Sequence, residues 1–145
     1  MLALPAGAPA QRRLTAWEVG GGGLAALADA DFFGAAVGIA YRPGGQARLM
    51  ALAAPGTWGG HAGVRLEATA QFLVAPAART GAGLYLGVGV AWQGAQDAAG
   101  ASYLAAVAGL EGAPGRRLGW YLESGLGGGI RLAAGVRWRW FPDWW

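Results

Sequence analysis

One histidine, two serines and no cysteine leave few routes to covalent chemistry in a chain of 145 residues. His61 stands in the glycine-rich stretch TWGGHAG, while Ser102 and Ser124 stand in other segments. Nucleophilic catalysis needs hydroxyl, base and orienting carboxylate within hydrogen-bond reach of one another. No motif groups these types here, so no catalytic residue is expected. The lack of cysteine removes disulfides, thiol catalysis and thiolate metal sites. Asp29 and Asp31, two apart in ADADFF, lack the further oxygen ligands of a hard-cation site. A solvated loop is expected there, and no metal or cofactor is implied. EVGGGGL lacks the Gly-Lys-Ser/Thr ending of a phosphate loop and reads as a flexible connection.

The side chains that remain for chemistry are those of ion pairs, and strands must position them. In VRLEATAQFLV, Val64, Leu66, Ala68, Ala70 and Phe72 alternate with Arg65, Glu67, Thr69 and Gln71. Successive side chains of a strand point to opposite faces. Eight such segments fall near 12–20, 32–42, 47–54, 62–74, 81–93, 102–111, 116–125 and 129–140. RPGG, APAART and EGAPGR read as short turns. GGGGLAALADAD, APGTWGGHAG and GAQDAAGA read as longer loops at the opposite rim, the first with room for a helical turn. Short turns at one rim and longer loops at the other are the habit of an up-and-down barrel.

Composition bears on which face is wet. Charged residues are 13% of the chain, against about 25% in soluble domains, while hydrophobic residues are 54%. No apolar run reaches the ~20 residues of a membrane-spanning helix. Low charge, high apolar content and strand patterning favour strands closed into a barrel, since only helices and closed barrels satisfy their own backbone in lipid. In segment five, Leu84, Leu86, Val88, Val90 and Trp92 alternate with Gly83, Tyr85, Gly87, Gly89 and Ala91. A soluble barrel would present the glycine face to water, which weakens strands and adds no solubility. Inverted, an eight-strand barrel has an interior just wide enough for side chains. Glycine and alanine then make room there for charged groups.

The expected lumen set is Arg65, Glu67, Tyr121, Glu123, Arg131 and Arg137, with the arginines paired to the two glutamates, because buried charges need partners. Tyr41, Trp92, Trp120, Trp138 and Trp140 are expected at membrane interfaces, where an apolar ring with a polar edge is favoured. Segments one and three mix types on one face (Glu18 with Leu14 and Ala16, Arg48 with Met50 and Leu52), and neither is assigned. Arg42, Arg79, Arg116 and Arg117 are expected at the short-turn rim, available to anionic head groups. Asp29, Asp31 and Asp97 are expected at the other. The arginines are dispersed rather than gathered in a patch, so no nucleic acid is expected as a partner.

The last segment, GIRLAAGVRWRW, alternates apolar residues and ends in an aromatic, Trp140 or Phe141, before PDWW. In this it resembles small bacterial outer-membrane barrels of the OmpA/OmpX type. The resemblance implies an all-β, eight-stranded antiparallel transmembrane barrel over residues 12–145. It also implies recognition of the final strand by the barrel assembly machinery. The reading taken from the whole chain is a structural or surface-interaction role, with outer-membrane lipids as partners and a monomer as the expected state. Three other functions stay open: a narrow porin-like channel, a soluble lipocalin-like carrier of an apolar ligand, and a lipid-modifying enzyme of the outer membrane. Residues 1–11, with Ala8-Pro9-Ala10 before Gln11, read as either a signal-peptide remnant or a disordered tail.

Overall fold

The computed structural model describes residues 13–145, so the expectation for residues 1–11 lies outside the described residues. The strands are β1 (Ala16–Leu27), β2 (Phe32–Gly44), β3 (Ala47–Trp58), β4 (His61–Leu73), β5 (Ala82–Ala95), β6 (Ala98–Gly112), β7 (Leu118–Leu126) and β8 (Ile130–Trp140). Each pairs antiparallel with the next, and β8 pairs back onto β1 to close the barrel. Paired residues traced once around run Trp17, Tyr41, Leu49, Ala70, Val88, Ala106, Leu126, Ile130 and Leu27. The trace returns to β1 ten residues beyond its start. For eight strands that stagger corresponds to a tilt of about 40°.

The strands are longer, and the connections different, from those expected of the sequence. β1 continues as strand through the stretch given a possible helical turn, because Leu24 and Ala26 are buried in the barrel and the backbone pairs with both β2 and β8. The connection expected over APGTWGGHAG shrinks to Gly59–Gly60, both at positive φ (56° and 84°), the geometry of a tight two-residue hairpin. Between β5 and β6 only Gln96 and Asp97 remain. The expected asymmetry of loop length is thus reversed. The longest connection is 74–81, between β4 and β5, at the rim that carries the start of β1 and the end of β8, here termed the lower rim.

Charge lies inside and apolar bulk outside. Arg42, Arg48, Arg65, Arg131, Arg137 and Arg139 are buried, as are all four glutamates of the sequence: Glu18, Glu67, Glu111 and Glu123. Leu66, Leu86, Val88, Val90, Leu104, Leu122 and Leu132 are exposed. An apolar wedge fills part of the lumen: Leu24, Phe32, Leu52 and Tyr121 form a cluster, with Met50 and Trp58 packed against it. This wedge resolves the mixed faces of segments one and three without a bulge. Glu18 and Leu24 on β1, and Arg48, Met50 and Leu52 on β3, all point inward at different depths.

Candidate functional site

The lumen gathers ten charged side chains, six arginines and four glutamates. Its construction follows from strand parity: residues two apart share a face, so Arg65 and Glu67 on β4, Tyr121 and Glu123 on β7, and Arg131, Arg137 and Arg139 on β8 all turn inward. The upper stage starts at Arg65. Its Nε donates to Glu67 Oε1 at 2.7 Å, its Nη1 to Gln93 Oε1 at 2.7 Å, and its Nη2 to the Gly127 carbonyl at 2.6 Å. Arg131 then bridges two carboxylates, with Nη2 2.8 Å from Glu67 Oε2 and Nη1 2.8 Å from Glu123 Oε2.

Glu123 passes the network downward. Its Oε1 accepts from Arg137 Nη2 at 2.7 Å and from the Tyr85 hydroxyl at 2.5 Å. Arg137 reaches on to Glu111 Oε2 at 3.3 Å and stacks over the Tyr121 ring, 4.4 Å from its centroid. Glu111 is the hub of the lower stage: Arg48 Nη1 lies 3.0 Å from both of its oxygens and Arg139 Nη2 lies 2.6 Å from Oε2. Glu18 pairs with Arg42 and, at 3.3 Å, with Arg48. Arg42 Nη1 donates to the Pro76 and Pro114 carbonyls at the lower rim. A continuous chain of ion pairs and hydrogen bonds therefore runs from Gly127 at the upper rim to Pro76 and Pro114 at the lower.

Six guanidinium groups share four carboxylates, so the interior carries a formal excess of positive charge. Arg42 Nη2 and Arg139 Nε have no hydrogen bond and lie 3.9 Å from Glu111 and 3.7 Å from Glu18. A buried ion pair is costly to desolvate and holds only when its remaining donors are met. The carbonyls of the rim and the Gln71 and Gln93 side chains supply part of that.

The structure brings together Arg65, Glu67, Tyr121, Glu123, Arg131 and Arg137. It adds Glu18, Arg42, Arg48, Tyr85, Glu111 and Arg139, which the sequence reading did not place in the network. Arg139 was legible from its parity with Arg131 and Arg137. Glu111 and Arg42 border turns, and that position hid them. Arg42 is a correction: it is fully buried and paired, not a rim residue, because β2 runs on to Gly44 and parity carries its side chain inward. Arg79, Arg116 and Arg117 do sit exposed at the lower rim, and Asp29, Asp31 and Asp97 at the upper.

The possible catalytic types stay apart. Ser102 and Ser124 lie on the outer face, His61 is exposed beside the Gly59–Gly60 turn, and the glutamates all face inward. Aromatic residues of the outer face fall at two levels. Trp17, Tyr41, Trp120, Trp138 and Trp140 ring the lower end, with Trp17 and Tyr41 ring centroids 4.7 Å apart. Phe33 and Trp92 lie towards the upper end. Tyr41 and Phe33 are eight residues apart on β2. At the rise and tilt of these strands that separation is about 20 Å along the barrel axis.

No family model matches the sequence, and no curated protein sequence matches it. Among solved structures, the N-terminal β-barrel domain of Pseudomonas aeruginosa OprF is similar with a TM-score of 0.68 at 18% identity, over 86% of this chain and 97% of that one. Neisserial surface protein A (NspA) is similar with a TM-score of 0.61 at 14% identity, over 86% of this chain and 96% of that one. With its closed antiparallel order and charged interior, the chain has the eight-stranded up-and-down barrel fold of these two proteins.

Proposed function

We propose that the chain is a small integral barrel of a bacterial outer membrane, with a structural or surface-interaction role and a lumen closed by its own side chains. The observation that carries this reading is the inverted partition: arginine and glutamate buried, leucine, valine and tryptophan outside. In water an outer face of that kind would aggregate. In lipid it is the favoured surface, and an arginine turned outward at mid-bilayer would cost about 2–4 kcal/mol. Two aromatic levels about 20 Å apart, bounding an aliphatic band, suit the two interfaces of a bilayer. The likeness to the OprF barrel domain and to a neisserial surface protein supports the same placement.

The C-terminal strand, with Ile130, Leu132, Val136, Trp138 and Trp140 exposed on one face, is the segment proposed for recognition by the barrel assembly machinery. Outer-membrane lipids are the proposed partners and a monomer the proposed state. The ion-pair chain from Gly127 to Pro114 favours a closed lumen over a solute conduit. The charged interior disfavours an apolar ligand, and separation of His61 from both serines gives no support to a lipid-modifying enzyme. Refolding in detergent micelles tests the membrane reading. A compact species that shifts on a gel only after heating is expected. Protein that stays monomeric and folded in buffer without detergent would overturn it.

A further inference from the structure

Arg79, Arg116 and Arg117 stand outside the lumen's pairing, and they converge. Arg79 in the 74–81 connection and Arg116 and Arg117 in the 113–117 connection line a groove of about 450 Å³ at the lower rim with Gly115 and residues of the C-terminal segment 141–145. Its walls are tied together. Arg116 Nε donates to the Arg79 carbonyl at 2.7 Å, Trp145 Nε1 donates to the Gly115 carbonyl at 3.0 Å, and the Arg79 guanidinium lies 4.3 Å from the Trp145 ring centroid. Arg139, from inside the barrel, holds the Arg116 carbonyl through Nη1 at 3.1 Å and the Arg117 carbonyl through its amide at 2.6 Å. The groove is thus anchored to the lumen network.

Its side-chain charge is net positive, three guanidinium groups against one carboxylate. Every lumen arginine lies against a carboxylate, whereas Arg79, Arg116 and Arg117 form no ion pair among the described residues. Among the described residues, Asp143 is the one acidic side chain lining the groove. The groove also opens at the end of the apolar band, where Leu118, the residue after Arg117, is exposed, next to Trp120 and, on the paired strand, Trp138. Guanidinium groups match phosphate oxygens in geometry and charge. An anion held here would have an apolar surface running away from it.

We propose that this groove binds the phosphate head group of an anionic lipid, with the acyl chains laid along Leu118, Trp120 and Trp138. The assignment rests on the membrane-spanning reading above. The test is intact-protein mass spectrometry of the full chain released from micelles holding phosphatidylglycerol and phosphatidylcholine with identical acyl chains. The wild type is expected to retain phosphatidylglycerol in preference. The variant Arg79→Gln/Arg116→Gln/Arg117→Gln is expected to lose about tenfold in that preference, as cationic residues at a head-group surface each contribute measurably. A control, Ala30→Glu/Gln96→Glu, lowers net charge at the upper rim and is expected to keep it. Equal preference in the wild type and the triple variant would overturn the assignment. So would loss in the upper-rim control, which would mark a general charge effect. Displacement of the lipid by excess inorganic phosphate would overturn the lipid in favour of free phosphate, and retention would support it. A heat-dependent gel shift on the same samples separates the two readings. Protein that never folds in micelles defeats the membrane barrel, whereas folded protein without lipid preference defeats the groove alone.

Discussion

Arg131 and Glu123 meet diagonally across the last hairpin, with Nη1 2.8 Å from Oε2, both side chains fully enclosed by the barrel. Neither is a private pair. Arg131 is shared with Glu67, and Glu123 is shared with Arg137 and Tyr85. Glu123 therefore joins the upper and lower stages of the network. Removing it takes one carboxylate partner from each of two guanidinium groups, and the acceptor from a hydroxyl, at once. Glu123→Ala is expected to destabilise the folded barrel by about 3–5 kcal/mol, the range for breaking a buried pair from one side. Ser124→Ala, one residue on and facing outward, is expected to change little. Urea unfolding in lipid vesicles measures both, and equal midpoints would show that the pair contributes no stability.

Gly109 on β6 lies under the Tyr85 ring. A Cβ at that position would fall 2.2 Å from the ring's Cζ, with the hydroxyl oxygen 2.5 Å away. Tyr85 cannot retreat without giving up its bond to Glu123 and its place between Arg48 and Arg137, whose guanidinium carbons lie 4.5 and 5.2 Å from the ring centroid. Gly109→Ala is expected to cost about 1–3 kcal/mol, the usual scale of overpacking. In a Tyr85→Ala background the same change should cost almost nothing. A double-mutant cycle reads this directly, and additive losses would contradict the contact.

The proposed closure of the lumen rests on two stages in series. Arg65, Glu67 and Arg131 occupy the upper one, and Glu18, Arg48, Glu111 and Arg139 the lower. The wild type is expected to show no discrete openings in planar bilayers. Glu67→Ala/Arg131→Ala clears part of the upper stage but leaves the lower one intact, so it too is expected to stay closed. Openings in that variant would show that the lower stage passes ions.

Legibility in the sequence followed the contrast between the two faces. In β5 the inward positions are glycine, alanine, Tyr85 and Gln93 and in β8 arginine, alanine and glycine, while the outward ones are mostly bulky and apolar, so parity alone separated Tyr85 from Leu86 and Arg137 from Val136. In β1 and β3 the lumen itself holds Leu24, Met50 and Leu52 beside Glu18 and Arg48, so residue type no longer reports depth. Those faces became readable only through the closed register. The connections failed for a related reason. Glycine-rich stretches signal loops in soluble sheets, but Gly20–Gly23 lies in β1 paired on both edges inside a narrow barrel. Arg42 and Glu111 border turns, and only knowing that β2 and β6 run on past them turns their side chains inward.

Val88 and Leu118 give the sharpest test of which solvent the outer face meets. Both point outward and are similarly exposed, at 66% and 59%. Val88 sits at mid-height on β5, between the levels of Leu84 and Trp92, whereas Leu118 opens β7 at the lower rim. In water the two positions are equivalent, and an arginine at either should be tolerated alike. In a bilayer depth decides: about 2–4 kcal/mol for an arginine at the midplane, falling to about 0–1 kcal/mol near an interface. Val88→Arg is therefore expected to destabilise the vesicle-inserted barrel by about 2 kcal/mol or more beyond Leu118→Arg. Reversible unfolding of the two variants in the same vesicles gives the difference. Equal losses would mean that the outer face meets no hydrocarbon, since depth would then carry no energy.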